Sequence, residues 1–303
     1  MDIAIMIEGQ NGLTWPRWQI LAYAVEELGY SGLFRSDHFT NASPPDKDSL
    51  ELWVSLTWLA SHTKRIEFGP LVSPISFRHP SMTARMASAV DDLSGGRFVL
   101  GLGAGWQERE HGLFGYDLLE PAARFDRFEE GLEVITRLLN SDTPVTFEGK
   151  YFQLRGATLL PRPIRPGGPR IAVGGNGRKR TLPYVVRYAG EWNAVYLPAG
   201  ELKSLNKQLD LLLDSANRPR ESVRRSVMLG CLFGKTPEKL KQKISSSNRT
   251  QEAWRKVGAL VGTGDQIREQ LYEVEQTGIQ RVMLQWLDLE DLEGLAVLAK
   301  EIL

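Results

Sequence analysis

The sequence predicts an α/β fold, a (β/α)8 TIM barrel with insertions. Three observations lead there: eight short apolar runs, amphipathic stretches of helical length between them, and no linker or composition break dividing the 303 residues. Strands that alternate with helices imply parallel pairing through right-handed crossovers, and eight such units favour closure over an open sheet. A single domain over residues 1–303 is therefore expected.

Ile3 to Ile7 reads as the first strand, followed by a Gly/Gln/Asn loop and a helical pattern from Arg17 to Leu28 that Gly29 stops. The later strand-like runs are Gly32 to Arg35, Ile66 to Val72, Arg97 to Leu102, Arg170 to Val173, Glu191 to Tyr196, Ser226 to Phe233 and Arg281 to Trp286. Helical spacing fills residues 50–62, 79–93, 121–139, 179–189, 200–214, 236–244 with 264–277, and 288–302. One segment breaks the alternation. Gly149 and Gly156 divide the strand-like stretch Val145 to Leu160, and Pro161, Pro163 and Pro166 forbid a helix behind it, so a β-hairpin insertion is expected. Ser245 to Thr263 joins a Ser/Asn/Arg/Thr tract to a short helical pattern around Trp254 and reads as a mobile loop.

Composition narrows the function. Lys plus Arg number 37 and Asp plus Glu 37, so no net field draws the chain to nucleic acid or an anionic membrane, and a small-molecule partner is expected. The single cysteine, Cys231, permits no intramolecular disulfide and sits in an apolar run, where it reads as a small core residue. No secretory leader pattern opens the chain, and its apolar stretches fall short of the ~18 residues that span a bilayer. A cytoplasmic protein is expected.

In a barrel the chemistry belongs on the loops after the strands' carboxyl ends. Gly101-Leu102-Gly103-Ala104-Gly105-Trp106 leaves the fourth strand and enters a short helix; small residues there admit a ligand to the backbone, or merely permit close packing. Trp106 stands where a dinucleotide fingerprint would need its third glycine. Gly174-Gly175-Asn176-Gly177-Arg178 ends the fifth strand, with Lys179 and Arg180 beyond it; this reads as a phosphate cradle, or as a solvated turn with surface cations. Asp37 and His38 follow the second strand and could orient a substrate or move a proton. Neighbours in a strand point to opposite faces, so only one of them need reach the pocket, and a loop-capping Asp37 with a buried His38 fits the spacing equally.

Glu108 and Glu110 lie near the same mouth as further acids, Glu108 being the candidate, although acids at a helix start also serve stability alone. His62, His79 and His111 have no partner at metal-ligand spacing, so no metal is expected. No G-x-S-x-G elbow supports a serine hydrolase. Trp15, Trp53 and Trp106 suggest an aromatic-lined pocket, with core packing as the alternative for each. Substrate choice is expected on the loops Gly9 to Trp15, Thr40 to Asp48 and Ser245 to Gly262.

Five motifs in order, SDHF at 36–39, LVSPISFRHP at 71–80, SGGRFVLGLGAGW at 94–106, VGGNG at 173–177 and RYAGEWN at 187–193, resemble the bacterial luciferase-like monooxygenase family over nearly the whole chain. The chain looks most like its branch of oxidoreductases dependent on coenzyme F420, a 5-deazaflavin; FMN-using monooxygenases share the scaffold. The resemblance implies a homodimer, a cofactor ring over the barrel mouth, and a non-proline cis peptide forming a bulge within Leu71, Val72 and Ser73. It sets Asp37 and His38 near the reactive edge of the ring, Gly103, Ala104 and Gly105 against the cofactor, and Gly174, Gly175 and Gly177 at its phosphate. Trp106, Asn176 and Arg178 join those loops by position. Relatives often carry an Ala-Asp-Gly-Trp-like turn where this chain has Ala189-Gly190-Glu191-Trp192, so the contact that aspartate makes in relatives is not expected here. A non-catalytic flavin-binding barrel is the remaining reading.

Overall fold

The computed structural model describes residues 1–247 and 249–303. In chain order its elements are β1 (Asp2–Ile7), α1 (Trp15–Glu27), β2 (Gly32–Arg35), α2 (Leu52–His62), β3 (Glu67–Pro70), β4 (Ser73–Pro74), α3 (Pro80–Ser94), β5 (Val99–Gly103), α4 (Glu108–Phe114), α5 (Pro121–Asn140), β6 (Val145–Glu148) and β7 (Gln153–Ala157). There follow β8 (Arg170–Gly174), α6 (Thr181–Tyr188), β9 (Glu191–Val195), α7 (Ala199–Ser215), β10 (Arg224–Phe233), α8 (Pro237–Ser245), α9 (Gln251–Lys256), β11 (Leu260–Gly262), α10 (Gly264–Glu275), β12 (Arg281–Gln285) and α11 (Leu292–Ile302).

Parallel pairing runs β3-β2-β1-β12-β10-β9-β8-β5-β4, and the ends meet where Phe68 bridges Phe98, closing a (β/α)8 barrel. The third barrel position is split. Sequence predicts one strand from Ile66 to Val72; the chain instead breaks at a cis peptide between Leu71 and Val72 and resumes as β4 against β5. β6 and β7 form the antiparallel hairpin expected within 145–160. β11 was not expected: its residues pair with the distal half of β10, Cys231 opposite Leu260. Of the segment expected to be a mobile loop, α9 and β11 are described and Asn248 lies outside the described residues.

Strand alternation divides two layers. Along β1, Ile3, Ile5 and Ile7 face the surrounding helices, while Ala4 and Met6 turn inward to Phe34, Leu71, Val99, Ala172, Met228 and Met283. The amino ends of the strands are plugged by charge: Glu67 of β3 meets Arg224 at 2.9 Å, Arg281 of β12 and Arg170 at 3.6 Å, with Glu191 fully buried beside them. Arg281 thus belongs to the closed end, and the open end is left for ligands.

Candidate active site

A cavity of about 430 Å³ lies at the carboxyl ends of the strands, within the ~300–1,000 Å³ of small-molecule sites. Its lining comes from seven barrel positions, with Glu8, Ser36, Val72, Gly103, Gly174, Asn193 and Met228 among the contributors. Side chains and glycines fit each other at its floor. A Cβ on Gly103 would stand 2.5 Å from Val72 Cγ2, and one on Gly174 3.0 Å from Val72 Cγ1. A Cβ on Gly101 would meet the Pro70 carbonyl at 2.0 Å. The glycines therefore make room for Val72, which with Leu71 stands in the cavity wall.

His38 lines the cavity and is braced from behind. Its Nδ1 lies 2.8 Å from Oε1 of Glu110, and Oε2 of Glu110 accepts the Phe39 N–H at 3.0 Å. Glu110 is buried in α4. Burial disfavours the imidazolium, but the hydrogen bond and charge of Glu110, with the charges of Glu8 and Asp37, outweigh it and raise the His38 pKa. Burial likewise pushes Glu110 up, and the bonds from His38, Gln107 and Phe39 bring its net pKa below the ordinary carboxylate value. The Trp106 ring meets the imidazole edge-on at 5.5 Å. No protein partner meets His38 Nε2 among the described residues.

The other candidates divide. Asp37 does not join the cavity lining: it is buried, accepts the Ser73 hydroxyl at 2.7 Å and pairs with Arg78, which also meets Glu51 at 3.0 Å. Ser73 is thereby spent on Asp37. Glu108 is exposed on the first turn of α4, two residues from Glu110, and is outside the lining. Ala104, Gly105, Trp106, Gly175 and Gly177 line the cavity. Asn176 lines it too, yet its amide is committed to the end of β9, donating to the Val195 carbonyl at 2.8 Å and accepting the Val195 N–H at 3.0 Å. Arg178 points away to Gln208 at 2.6 Å and Ser204 at 3.1 Å on α7. Trp53 is buried against Phe98 and Trp15 packs on Trp58, so the expected aromatic lining reduces to Trp106 with Phe125 and Phe128.

Three features fit a phosphorylated cofactor with a polar ring. Among the described residues, no backbone N–H from Asn176 to Thr181 donates to a protein acceptor, leaving a run of donors at the start of α6. The glycine floor would be filled by any Cβ. Asn193, 1 % exposed and lining the cavity, donates to Ser226 Oγ at 3.0 Å but leaves its Oδ1 unpaired. Sequence reasoning missed Glu8 and Asn193, although Asn193 lies in the RYAGEWN motif and Glu8 directly follows the first strand.

Among curated proteins, the chain is 33% identical to a 4-hydroxyprotoasukamycin monooxygenase of Streptomyces nodosus subsp. asukaensis, over 71% of this chain and 57% of that one. It is 30% identical to an F420-dependent glucose-6-phosphate dehydrogenase of Amycolatopsis mediterranei, over 69% and 61% respectively. Less than two thirds of either relative's length is therefore matched. An F420-dependent secondary alcohol dehydrogenase, solved with an F420-acetone adduct, superposes with a TM-score of 0.85 at 18% identity, covering 100% of this chain and 98% of that one. A monooxygenase from Streptomyces bottropensis gives 0.83 at 20% identity, covering 100% and 98%. Residues 3–258 match the model of the luciferase-like monooxygenases, and the chain belongs to that family.

Proposed function

We propose that the chain is an enzyme, an oxidoreductase that transfers a hydride between coenzyme F420 and a small organic substrate. The observation that carries this reading is His38, held at the cavity wall by buried Glu110 with Nε2 left for a ligand. The F420-dependent relatives support the choice of cofactor. Leu71, Val72, Gly103, Ala104, Gly105 and the 174–177 loop would hold the deazaflavin, with the donors before α6 for its phosphate and Asn193 Oδ1 for a ring donor. When bound, F420 supplies two-electron hydride chemistry.

The chain's own residues handle the proton. In oxidation of an alcohol, neutral His38 takes the hydroxyl proton at Nε2 as the carbon-bound hydrogen leaves as hydride, and Glu110 stabilises the resulting imidazolium. In reduction of a carbonyl the imidazolium returns that proton to the oxygen. Met6, Val195, Met228 and Phe125 give the cavity apolar walls that exclude water. Asp37 acts at one remove, through Arg78 and Ser73. Arg178 ties the loop before α6 to α7 rather than to a ligand.

With a panel of secondary alcohols and ketones and the cofactor's visible absorbance as readout, His38→Asn should lower kcat by about 10²–10⁴-fold. F420 affinity should stay within about twofold of the unaltered chain's. Unchanged turnover in the variant would contradict the role given to His38. The monooxygenase relative at 33% identity favours a second reading, FMN-dependent monooxygenation on the same floor. A homodimer is part of the proposal, supported by the exposed apolar side chains Ile20, Tyr23, Val54 and Met82 on the consecutive helices α1 to α3.

A further inference from the structure

A carboxylate stands in the cavity wall where the chain leaves β1. Glu8 lines the cavity together with Met6, Ser36 and His38. Two amides fix it: Gln285 Nε2 donates to Oε1 at 2.7 Å and Gln10 Nε2 to Oε2 at 2.9 Å. Gln10 is itself held by the Ser36 hydroxyl, which donates to its Oε1 at 2.7 Å and accepts the Gly9 N–H at 2.9 Å. Each oxygen of Glu8 has thus taken one hydrogen bond and retains a lone pair for a ligand donor. This chain of bonds gives Glu8 a fixed orientation that packing alone would not.

Among the described residues, His38 is the one lining group that can carry a positive charge beside it. Among the described residues, the cavity lining contains Glu8, Glu110 and His38 but no lysine or arginine. Three nearby arginines are committed elsewhere, Arg35 to Ser55 Oγ at 2.7 Å and the Leu50 carbonyl at 2.6 Å, Arg78 to Asp37 and Glu51, and Arg180 to Asp126 at 2.8 Å, while Arg124, outside the lining, donates to the Gly105 carbonyl at 3.2 Å and the Leu119 carbonyl at 3.0 Å. Even with His38 protonated, the lining carries no surplus of positive charge.

We propose that Glu8 selects the substrate by charge, favouring an uncharged or cationic, largely apolar molecule with a hydroxyl or ammonium donor and disfavouring carboxylates and phosphate esters. A second anion near Glu8 meets repulsion strengthened by the apolar walls, while a cation gains the corresponding attraction. With the helix-start N–H groups before α6 assigned to the cofactor's phosphate, this lining supplies no guanidinium or ammonium partner for a second phosphate, that of a substrate ester. The inference rests on the reading of this cavity as the substrate site of an oxidoreductase.

The test uses the full chain and three rings of one size: cyclohexanol, cyclohexylammonium and cyclohexanecarboxylate. Their affinities are measured by ligand-observed NMR titration, with and without F420. The ammonium compound should bind at least about tenfold more tightly than the carboxylate, with the alcohol between them. Glu8→Gln, which preserves side-chain volume, should close that gap to within about twofold. Equal affinity of the ammonium and carboxylate compounds overturns the proposal, as does an unchanged order in Glu8→Gln or binding of none of the three at millimolar concentration. If the variant does not fold, the order in the unaltered chain decides alone. F420 affinity read from the same samples separates the two claims: charge selection without cofactor binding would sink the F420 reading and leave the role of Glu8 standing.

Discussion

His38 and Glu110 meet because α4 begins directly after the loop that leaves β5 and turns its second acid, not its first, toward the cavity. Residues two apart on a helix are separated by roughly 200° around its axis, so Glu108 and Glu110 cannot both face inward. The sequence shows both acids and not the rotation of a helix this short, which is why the exposed Glu108 could be taken as the candidate. Asp37 and His38 were likewise legible as a pair whose members diverge, but only the structure gives His38 to the cavity and Asp37 to Arg78. Glu110 raises the His38 pKa against the effect of burial, so the wild-type imidazole should titrate above the ordinary value of about 6.5. On the proposed mechanism alcohol oxidation needs neutral His38, so its rate should rise with pH through that raised value. In Glu110→Gln burial dominates, and both the NMR titration of His38 and the rising limb of kcat/KM should move to lower pH. An unmoved His38 titration in the variant would contradict the pairing. The sign also fixes stability. The His38 contribution is fully present below about 6.5 and lost as pH rises through the folded value, and that of Glu110 is lost as pH falls through its lowered value.

The glycine-lined floor is a contact between elements. Val72 leans on β5 at Gly103 and on β8 at Gly174, and a Cβ at either site competes for its space. Gly103→Ala should destabilise the fold by about 1–3 kcal/mol through overpacking and weaken cofactor binding, and adding Val72→Ala should restore most of the stability. Additive losses in the double variant, measured by denaturant unfolding, would show that the two positions do not press on each other. This floor was legible in advance as a break within Leu71 to Ser73 together with two glycine loops. The direction of Arg178 was not, because a cation beside a phosphate-type loop has the same spacing whether it faces the ligand or the next helix. β11 also escaped notice: three residues following a helix and Gly258 are too short to show strand alternation.

At the scale of the whole molecule, the barrel separates stability from chemistry between its two ends. Arg281 lies 3.7 Å from Glu191 and also contacts Glu67, closing the end opposite the cavity. Arg281→Ala would remove the most buried cation of the plug, leaving Glu191 and Glu67 only the half-buried Arg224 and Arg170, and should cost about 2–4 kcal/mol, while F420 affinity stays within about twofold. Burial pushes Glu67 up, but Arg281, Arg224 and Arg170 hold its net pKa below the ordinary value. Its stabilising share is therefore present at neutral pH and lost as pH falls through the lowered value. An equal loss of cofactor affinity in Arg281→Ala would mean that the two ends are coupled. The barrel itself was readable from eight apolar runs, since each carries its own strand pattern; the ion plug was not, because its members are spread from Glu67 to Arg281 and meet only on closure. The measurement that bears most directly on the account is a side-by-side fluorescence titration of the full chain with F420 and FMN. The account predicts tight F420 binding and FMN binding weaker by at least about tenfold; preference for FMN, or binding of neither, would contradict it.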